Sequence, residues 1–430
     1  MRLQSLQPLG LGAALVGGLA CVCSVAAAQG ADSQGADSQP VGEIAAVAPR
    51  DVDGVAFTPG KGLTAVSSDG DFALSIGFRN QFRLTLEQQR PLGPDPDGSM
   101  AFALRRSRFA LKGNAFGKQT KYGLQLDFAP QGMSSAPDGA PRTSPLLDAY
   151  VKFEQQRDLS LRVGQYTAPY LREQITSDGQ LELVDRSLLN SVFSVERDIG
   201  LDLYSSDLFG LDKTLRYNLG VYAGEGRNAF GQSNFGLMYV ARVEALPFGH
   251  FDDYGQGDFE RSAPKLSVGA AYAYHSRAAR SGGTRGSAFK DKGTADYKLL
   301  TGDLMFKAAG LTLLASVAWR DGTRDPGGAV DEDTGSVIPT DPARSGWGFS
   351  GQAGYLFPRT GLGLAARYSM LRKGDDQSGL VDENELGGGG SYFFAQHLLK
   401  VQADAIRTWT EDAGFKHGTD QLRVQLQLSI

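Results

Sequence analysis

The feature that most limits the fold of this chain is an alternation of apolar and polar side chains along its length. In one such segment, Phe109 and Leu111 fall on one face of an extended strand. Arg106 and Arg108 fall on the opposite face. A period of two residues is typical of a β-strand whose two faces meet different environments. The pattern begins near residue 71 and recurs in about sixteen segments, so it predicts an all-β protein.

The lengths of the connections separate two all-β architectures. Long, Gly- and Pro-rich connections at 88–100, 130–145 and 168–196 alternate with short turns at 155–158, 307–310, 358–361 and 395–397, and only 247–264 is long where a short turn is expected. Outer-membrane barrels alternate short periplasmic turns with long external loops, whereas soluble sandwiches do not. The sequence therefore predicts a transmembrane antiparallel β-barrel of about sixteen strands, with its barrel domain at residues 71–430.

The third long connection differs from an ordinary external loop in its composition. Its apolar residues are Leu171, Ile175, Leu181, Leu183, Leu188, Leu189 and Phe193. A loop that lies in water does not favour so many apolar side chains. We therefore expect an inward-folded third loop that forms the constriction of the lumen.

The N-terminus has the pattern of an export signal. Arg2 is followed by an apolar stretch at 9–25 and by three alanines at 26–28, which predicts a signal peptide at residues 1–28. Both cysteines lie inside this segment, so the mature protein would carry no thiol. Residues 29–70 are poor in bulky apolar side chains, and we interpret them as a flexible periplasmic leader.

Composition excludes several other classes of protein. The mean hydropathy is −0.25, and after the N-terminus no apolar stretch approaches the roughly 20 residues that a membrane-spanning helix needs. The net charge is −5 and the basic residues are scattered, so no nucleic-acid partner is expected. The four histidines show neither metal-ligand spacing nor a grouping with serine and carboxylate. We therefore expect no enzyme activity, no metal and no cofactor; an outer-membrane hydrolase and a soluble β-rich binding protein are the weaker alternatives.

Side chains predicted to face the lumen carry the functional evidence. Basic residues exceed acidic ones there by roughly two to one, although the whole chain is acidic. The residues that we expect to line the anion-conducting lumen and its constriction are Arg79, Arg83, Arg105, Arg106, Arg108, Lys112, Lys121, Asp127 and Arg162. Such residues replace part of an anion's hydration shell and let it move on. General diffusion porins also have a basic wall opposite acidic loop residues, so that alternative stays open.

The alternation changes phase at the arginine doublet. Phe102 and Leu104 are apolar at even positions, whereas Phe109 is apolar at an odd one. One extra residue in the strand would restore the pattern and turn both Arg105 and Arg106 into the lumen. The sequence therefore predicts a β-bulge at this point.

Several motifs resemble those of the phosphate-selective porin O/P family. They are Gly-Phe-Arg-Asn-Gln at 77–81, Arg-Arg-Ser-Arg-Phe at 105–109, Asp-Ala-Tyr-Val at 148–151, Leu-Arg-Val-Gly-Gln-Tyr-Thr-Ala-Pro at 161–169 and Asp-Ile-Gly at 198–200. The resemblance runs from about Phe57 to the C-terminus. Two features depart from the family pattern: the chain ends on Ile430 instead of an aromatic residue, and no lysine cluster can be placed.

The resemblance implies a sixteen-stranded homotrimeric porin in the outer membrane of a Gram-negative bacterium, in contact with its lipid. It also implies an inward-folded third loop and a basic lumen for passive diffusion of small inorganic anions, phosphate or polyphosphate among them. Arginines at the narrow zone of the family correspond to Arg79, Arg105 and Arg106.

Overall fold

The computed structural model describes residues 51–52, 54–91, 98–129, 144–229 and 236–430. The signal peptide predicted at residues 1–28 lies outside the described residues, and so does most of the leader.

The regular secondary structure of the described residues is almost entirely strand. The strands are β1 (Asp51–Val52), β2 (Val55–Thr58), β3 (Gly62–Val66), β4 (Ala73–Gln89), β5 (Gly98–Asn114), β6 (Thr120–Asp127), β7 (Leu146–Phe153), β8 (Ser160–Thr167), β9 (Arg197–Ser205), β10 (Leu215–Tyr222), β11 (Met238–Ala245), β12 (Lys265–Ala278), β13 (Arg280–Gly282), β14 (Arg285–Ala288), β15 (Thr294–Ala308), β16 (Leu311–Asp325), β17 (Gly346–Leu356), β18 (Leu362–Lys373), β19 (Glu383–Ala395), β20 (Leu399–Thr410) and β21 (Gly418–Ser429). The helices are α1 (Arg172–Ile175), α2 (Leu188–Phe193) and the 3-10 turns Asp178–Gln180 and Leu208–Gly210. Within the described ranges, no helix is both long and apolar enough to cross a membrane.

Sixteen of these strands form a closed wall. Strands β4 to β12 and β15 to β21 each pair antiparallel with the next, and β21 pairs with β4. The last residue takes part in the closure, because the Ile430 N–H donates to the Phe78 carbonyl at 2.7 Å and the Phe78 N–H donates back at 2.9 Å. The predicted sixteen-stranded antiparallel barrel is therefore confirmed.

The two faces of the wall have opposite character. In β21, Leu426 and Leu428 are 43% and 42% exposed on the outside, whereas Gln425 and Gln427 are 1% and 0% exposed on the inside. A soluble barrel would reverse this arrangement. Apolar side chains outside and polar side chains inside are the arrangement that a lipid environment requires of a closed barrel.

The two ends of the barrel differ in their connections. The end that carries Ile430 has mostly short turns, and we call it the short-turn end; the opposite end, with the longer connections, is the loop end. At the short-turn end, β2 and β3 form a hairpin, and β3 pairs with β4 from Leu63 opposite Ile76 to Val66 opposite Ala73.

This hairpin corrects one expectation. The leader predicted as flexible up to residue 70 ends in ordered strands, because the free edge of β4 below the C-terminus offers main-chain partners to β3. The predicted boundaries between signal peptide, leader and barrel domain, after residues 28 and 70, stay predictions.

The predicted bulge is present at the arginine doublet. Gln81 of β4 lies opposite Arg106 of β5, and the next residue, Phe82, lies opposite Leu104. Arg105 is therefore the extra residue, as the change of phase in the sequence indicates. Both arginine side chains reach loop carboxylates inside the barrel, which confirms that neither faces lipid.

The third loop, residues 168–196 and called L3 below, folds into the lumen as predicted. Its apolar side chains Leu171, Leu181, Leu183, Leu189 and Phe193 are at most 2% exposed. Helix α2 begins where the Ser187 hydroxyl accepts a hydrogen bond from the Asn190 N–H. Its buried face packs against Ala318 and Leu371 of the wall.

A second connection also enters the lumen, this time from the short-turn end. It joins β11 to β12 across residues 246–264, and we call it T4. Asp253 and Gln256 of T4 are 2% and 1% exposed. The Gln256 N–H donates to the Gln180 carbonyl of L3 at 2.9 Å, so the two inserted connections meet. The unusual length of T4, which the alternation of connections does not predict, is what allows it to reach L3.

Candidate functional site

Five arginines on β4 and β5 converge on the tip of L3. Arg79, Arg83, Arg105, Arg106 and Arg108 all contact acidic residues of L3, and we call them the arginine cluster. The period of the strands places Arg79 and Arg83 on the same face of β4. Regular alternation would turn Arg105 to the outside of the barrel. The bulge turns it inward, together with Arg106 and Arg108 of β5.

Asp178 of L3 is shared by three members of the arginine cluster. Its carboxylate lies 2.6 Å from Arg79 Nη2, 2.8 Å from Arg106 Nε and 2.7 Å from Arg108 Nη2. Burial by itself would raise the pKa of Asp178. The guanidinium groups of Arg106, Arg108 and Arg79 outweigh burial and hold the pKa of this carboxyl well below its ordinary value.

Asp185 of L3 binds the remaining members. Its carboxylate is 2.8 Å from Arg83, 3.4 Å from Arg106 and 3.8 Å from Arg105. Burial again acts to raise the pKa of Asp185, and the neighbouring guanidinium groups again lower it well below the ordinary value. Both loop acids are therefore ionised at neutral pH, and they fix the tip of L3 against β4 and β5.

The charges of this region do not cancel. Asp127, which is 2% exposed, accepts hydrogen bonds from the Ser107 N–H and from Arg108. Five guanidinium groups thus face three carboxylates, namely Asp178, Asp185 and Asp127. The cluster has a positive excess and is held in place by its own ion pairs.

A cavity of about 390 Å³ opens next to the arginine cluster. Its lining contains eight arginines and four acidic residues: Arg105, Arg106, Arg108, Arg186, Arg197, Arg227, Arg285 and Arg423, with Asp127, Asp178, Asp185 and Glu196. Further lining residues are uncharged, such as Gln174, Ser187, Asn190 and Ser191. The cavity is therefore polar and positively charged, and it can bind or pass small anions.

The other residues predicted for the lumen lie apart from the cluster. Arg162 forms a bidentate pair with Asp202, at 2.9 and 2.8 Å, and its guanidinium lies 3.7 Å from the centre of the Tyr166 ring. Lys121 pairs with Glu154 at 2.5 Å near the short-turn end. Lys112 is exposed on the same inward face of β5 as Arg108. A conducting role for the predicted residues stays a prediction.

Sequence reasoning missed part of this site. The sequence does not indicate the position of Asp178, because nothing around a loop carboxylate shows which three arginines it will contact. Arg186 and Arg285 lie outside the regular barrel strands, where the period of two residues does not determine direction. Arg197 lies on the same face of β9 as Leu201 by count, so its position in the cavity wall also went unpredicted.

Taken together, a closed sixteen-strand antiparallel barrel and an inward-folded third loop define a porin. The family model of phosphate-selective porin O and P matches residues 79–248, so this part of the chain is similar to that family. The matched part includes the arginine cluster, the bulge and all of L3. The resemblance indicated by the motifs is thereby confirmed over residues 79–248.

Solved structures share the fold at low sequence identity. An anion-selective porin from Comamonas acidovorans is similar with a TM-score of 0.53 and 10% identity, over 84% of this chain and 100% of the porin. The OmpF porin of Salmonella typhi, in complex with daunomycin, is similar with a TM-score of 0.52 and 14% identity, over 85% of this chain and 99% of that porin. No curated protein matches the sequence. Porin folds are channels rather than enzymes, and the described residues contain no group of His, Cys, Asp or Glu that could hold a metal ion.

Proposed function

We propose that this protein is a channel in the outer membrane of a Gram-negative bacterium through which small anions diffuse passively. The observation that carries the proposal is the positive excess in the cavity, where eight arginines face four acidic residues. A partly buried excess of charge acts on a passing ion more strongly than the same excess at an open mouth, because the local dielectric is lower and screening by salt is incomplete. The name of the Comamonas porin describes that protein as anion-selective, which supports a preference for anions here.

Inorganic phosphate and polyphosphate are the anions that we propose as preferred solutes. Arginine presents a planar fork of donors that matches the oxygens of a phosphate group. Arg105, Arg106 and Arg108 present three such groups to one cavity. Exposed lysines continue the basic lining towards the short-turn end, which we assign to the periplasm, at Lys112 and Lys121.

The second candidate is a general diffusion porin without marked anion specificity. The pairing of the arginine cluster with Asp178 and Asp185 favours it, because each carboxylate cancels part of the positive field. Single-channel recordings in planar bilayers separate the two candidates. A selective pore gives an anion-directed reversal potential in a salt gradient and a chloride current that added phosphate blocks. A general pore gives a reversal potential near zero and no block.

We expect the anion selectivity to be nearly constant between about pH 5 and pH 9. Guanidinium groups stay charged over this range, and the lowered pKa values of Asp178 and Asp185 keep both carboxyls ionised. Acids with lowered pKa values are protonated only when the pH falls below those values, and there the positive excess and the anion selectivity should rise. Reversal potentials measured at pH 5, 7 and 9 in the same gradient check this.

A different pH profile would point to another group. Burial raises the pKa of Glu182 in L3 to about 7, against a hydrogen bond from Gln352 and the charges of Lys307 and Lys400. An inflection of selectivity near pH 7 that disappears in E182Q would therefore contradict control by the arginine cluster alone.

The proposal extends to the assembly. The resemblance implies a homotrimer in contact with outer-membrane lipid, and the exposed apolar side chains outside the wall, such as Leu426 and Leu428, suit such surroundings. Measurement of the mass of the detergent-solubilised protein by light scattering, corrected for bound detergent, tests the trimer.

A further inference from the structure

T4 is held inside the barrel by a network of buried charges. The Asp253 carboxylate lies 2.8 Å from Arg172 of L3 and 2.5 Å from Arg216 of β10, and it accepts a hydrogen bond from Ser267 at 2.7 Å. Arg172 is fully buried and also binds Asp303 of β15 at 2.7 Å. Paired buried charges of this kind fix a segment in one position, because each charge is costly to bury without its partner.

The tip of T4 binds L3 and the opposite part of the wall. The Gln256 side-chain oxygen accepts hydrogen bonds from the Glu182 N–H and from Gln352 of β17, both at 2.9 Å. The Gln256 carbonyl is 2.6 Å from His397 Nε2, in the turn between β19 and β20. Phe259 packs edge-on against the rings of Phe393 and His397, at 5.0 and 5.1 Å between ring centres.

These contacts extend across the lumen. T4 leaves the wall at β11, and the turn that holds His397 lies beyond β12, β15, β16, β17 and β18. Lys307 of β15 and Gly310, which follows it, also donate hydrogen bonds to T4, at 2.8 and 2.7 Å. Every T4 contact named here lies on the β10 to β20 part of the wall or on L3. On the β5 to β9 part, Arg105, Arg106 and Arg108 of β5 and Arg197 of β9 line the cavity, and the exposed Lys112 and Lys121 lie on β5 and β6.

We infer that T4 is a second constriction element, which occupies the periplasmic half of the lumen on the β10 to β20 side and sets the size limit for solutes. Solutes then pass along β5 to β9 only, and the limit applies to neutral solutes as well as to anions. L3 and T4 act in different parts of the lumen. L3 with the arginine cluster selects solutes by charge, and T4 restricts the width of the lumen. This inference rests on the proposed channel function and deepens it.

The test uses neutral sugars, because their passage reports width without charge. Liposomes containing the purified protein are placed in solutions of a monosaccharide, a disaccharide or a trisaccharide, and their swelling rates are compared. Replacing residues 250–260 by a two-residue turn should raise the disaccharide swelling rate roughly threefold or more and leave the reversal potential anion-directed. The matched control removes eleven residues at 328–338, an exposed stretch of the connection between β16 and β17, and should leave swelling unchanged.

A second variant keeps the test decisive if the shortened protein does not fold. Q256A/F259A removes the side-chain contacts of the T4 tip with Glu182, Gln352 and the rings of Phe393 and His397, and it leaves no buried charge without a partner. It should also speed disaccharide swelling, whereas D252N, which changes an exposed carboxylate of the same segment, should not. Unchanged disaccharide swelling in a folded deletion variant, or in folded Q256A/F259A, overturns the inference. A wild-type channel that proves cation-selective overturns the proposed anion function and leaves the sugar result to decide the role of T4.

Discussion

Replacing Arg79, Arg105 and Arg106 together by glutamine should move the reversal potential towards the cation side, by roughly 20 mV or more of the ~59 mV that a tenfold gradient supplies for one unit charge. These three side chains supply most of the guanidinium groups around Asp178 and Asp185. Without them the two loop carboxylates dominate the local field. The block of chloride current by added phosphate should weaken in parallel, because the planar donors that bind phosphate are gone.

Two controls show whether charge alone causes the shift. R372Q changes an arginine at the end of β18 that pairs with Glu411 outside the cluster, and it should leave the reversal potential where it was. D178N/D185N breaks the same contacts from the other side and should move the reversal potential in the anion direction. If the triple variant keeps the wild-type reversal potential, the arginines are structural parts of the wall and the general-diffusion alternative is correct.

Replacing residues 177–186 of L3 by a short glycine-serine linker should raise the single-channel conductance roughly two- to threefold. The linker leaves Arg172 bound to Asp253 and Asp303, and it leaves α2 packed in the wall, so both ends of L3 keep their anchors. The tip that crosses to β4 and β5 is lost. Because Asp178 and Asp185 leave with it while the arginine cluster stays, anion selectivity should rise together with conductance.

The paired direction of these two changes makes the result specific. General loosening of the barrel would raise conductance and lower selectivity, whereas removal of an acidic constriction raises both. A folded linker variant, checked by its heat-modifiable mobility on gels, that shows wild-type conductance would mean that the tip of L3 does not restrict the current through the lumen.

Much of the wall could be predicted from the sequence, because a lipid-facing barrel requires the same alternation in every strand. The bulge could be predicted for the same reason: a change of phase between Leu104 and Phe109 leaves few other ways to keep Arg105 away from lipid. The apolar residues of L3 predicted its inward fold, because water disfavours them.

The positions of residues inside the lumen are harder to predict than the wall, because polar residues are as favourable there as they are in solvent. Asp253 and Gln256 look like residues of an exposed turn, yet both are buried against partners that are distant in sequence. Asp178 has the same ambiguity. Its partners lie 70 or more positions away, so its position in the arginine cluster depends on the closed barrel and not on local pattern.

The seam between β4 and β21 imposes an order on assembly. Fifteen of the sixteen junctions around the wall join wall strands that follow one another along the chain. Each of these junctions can form locally, as a hairpin. The remaining junction brings together residues as far apart as Gln81 and Gln427, 346 positions from each other. The entropy lost in closing so long a loop opposes formation of the β4–β21 junction. An open, curved sheet should therefore form before the closed barrel. The β2–β3 hairpin pairs with the edge of β4 beyond Ile430. It would then stabilise the barrel next to the β4–β21 junction.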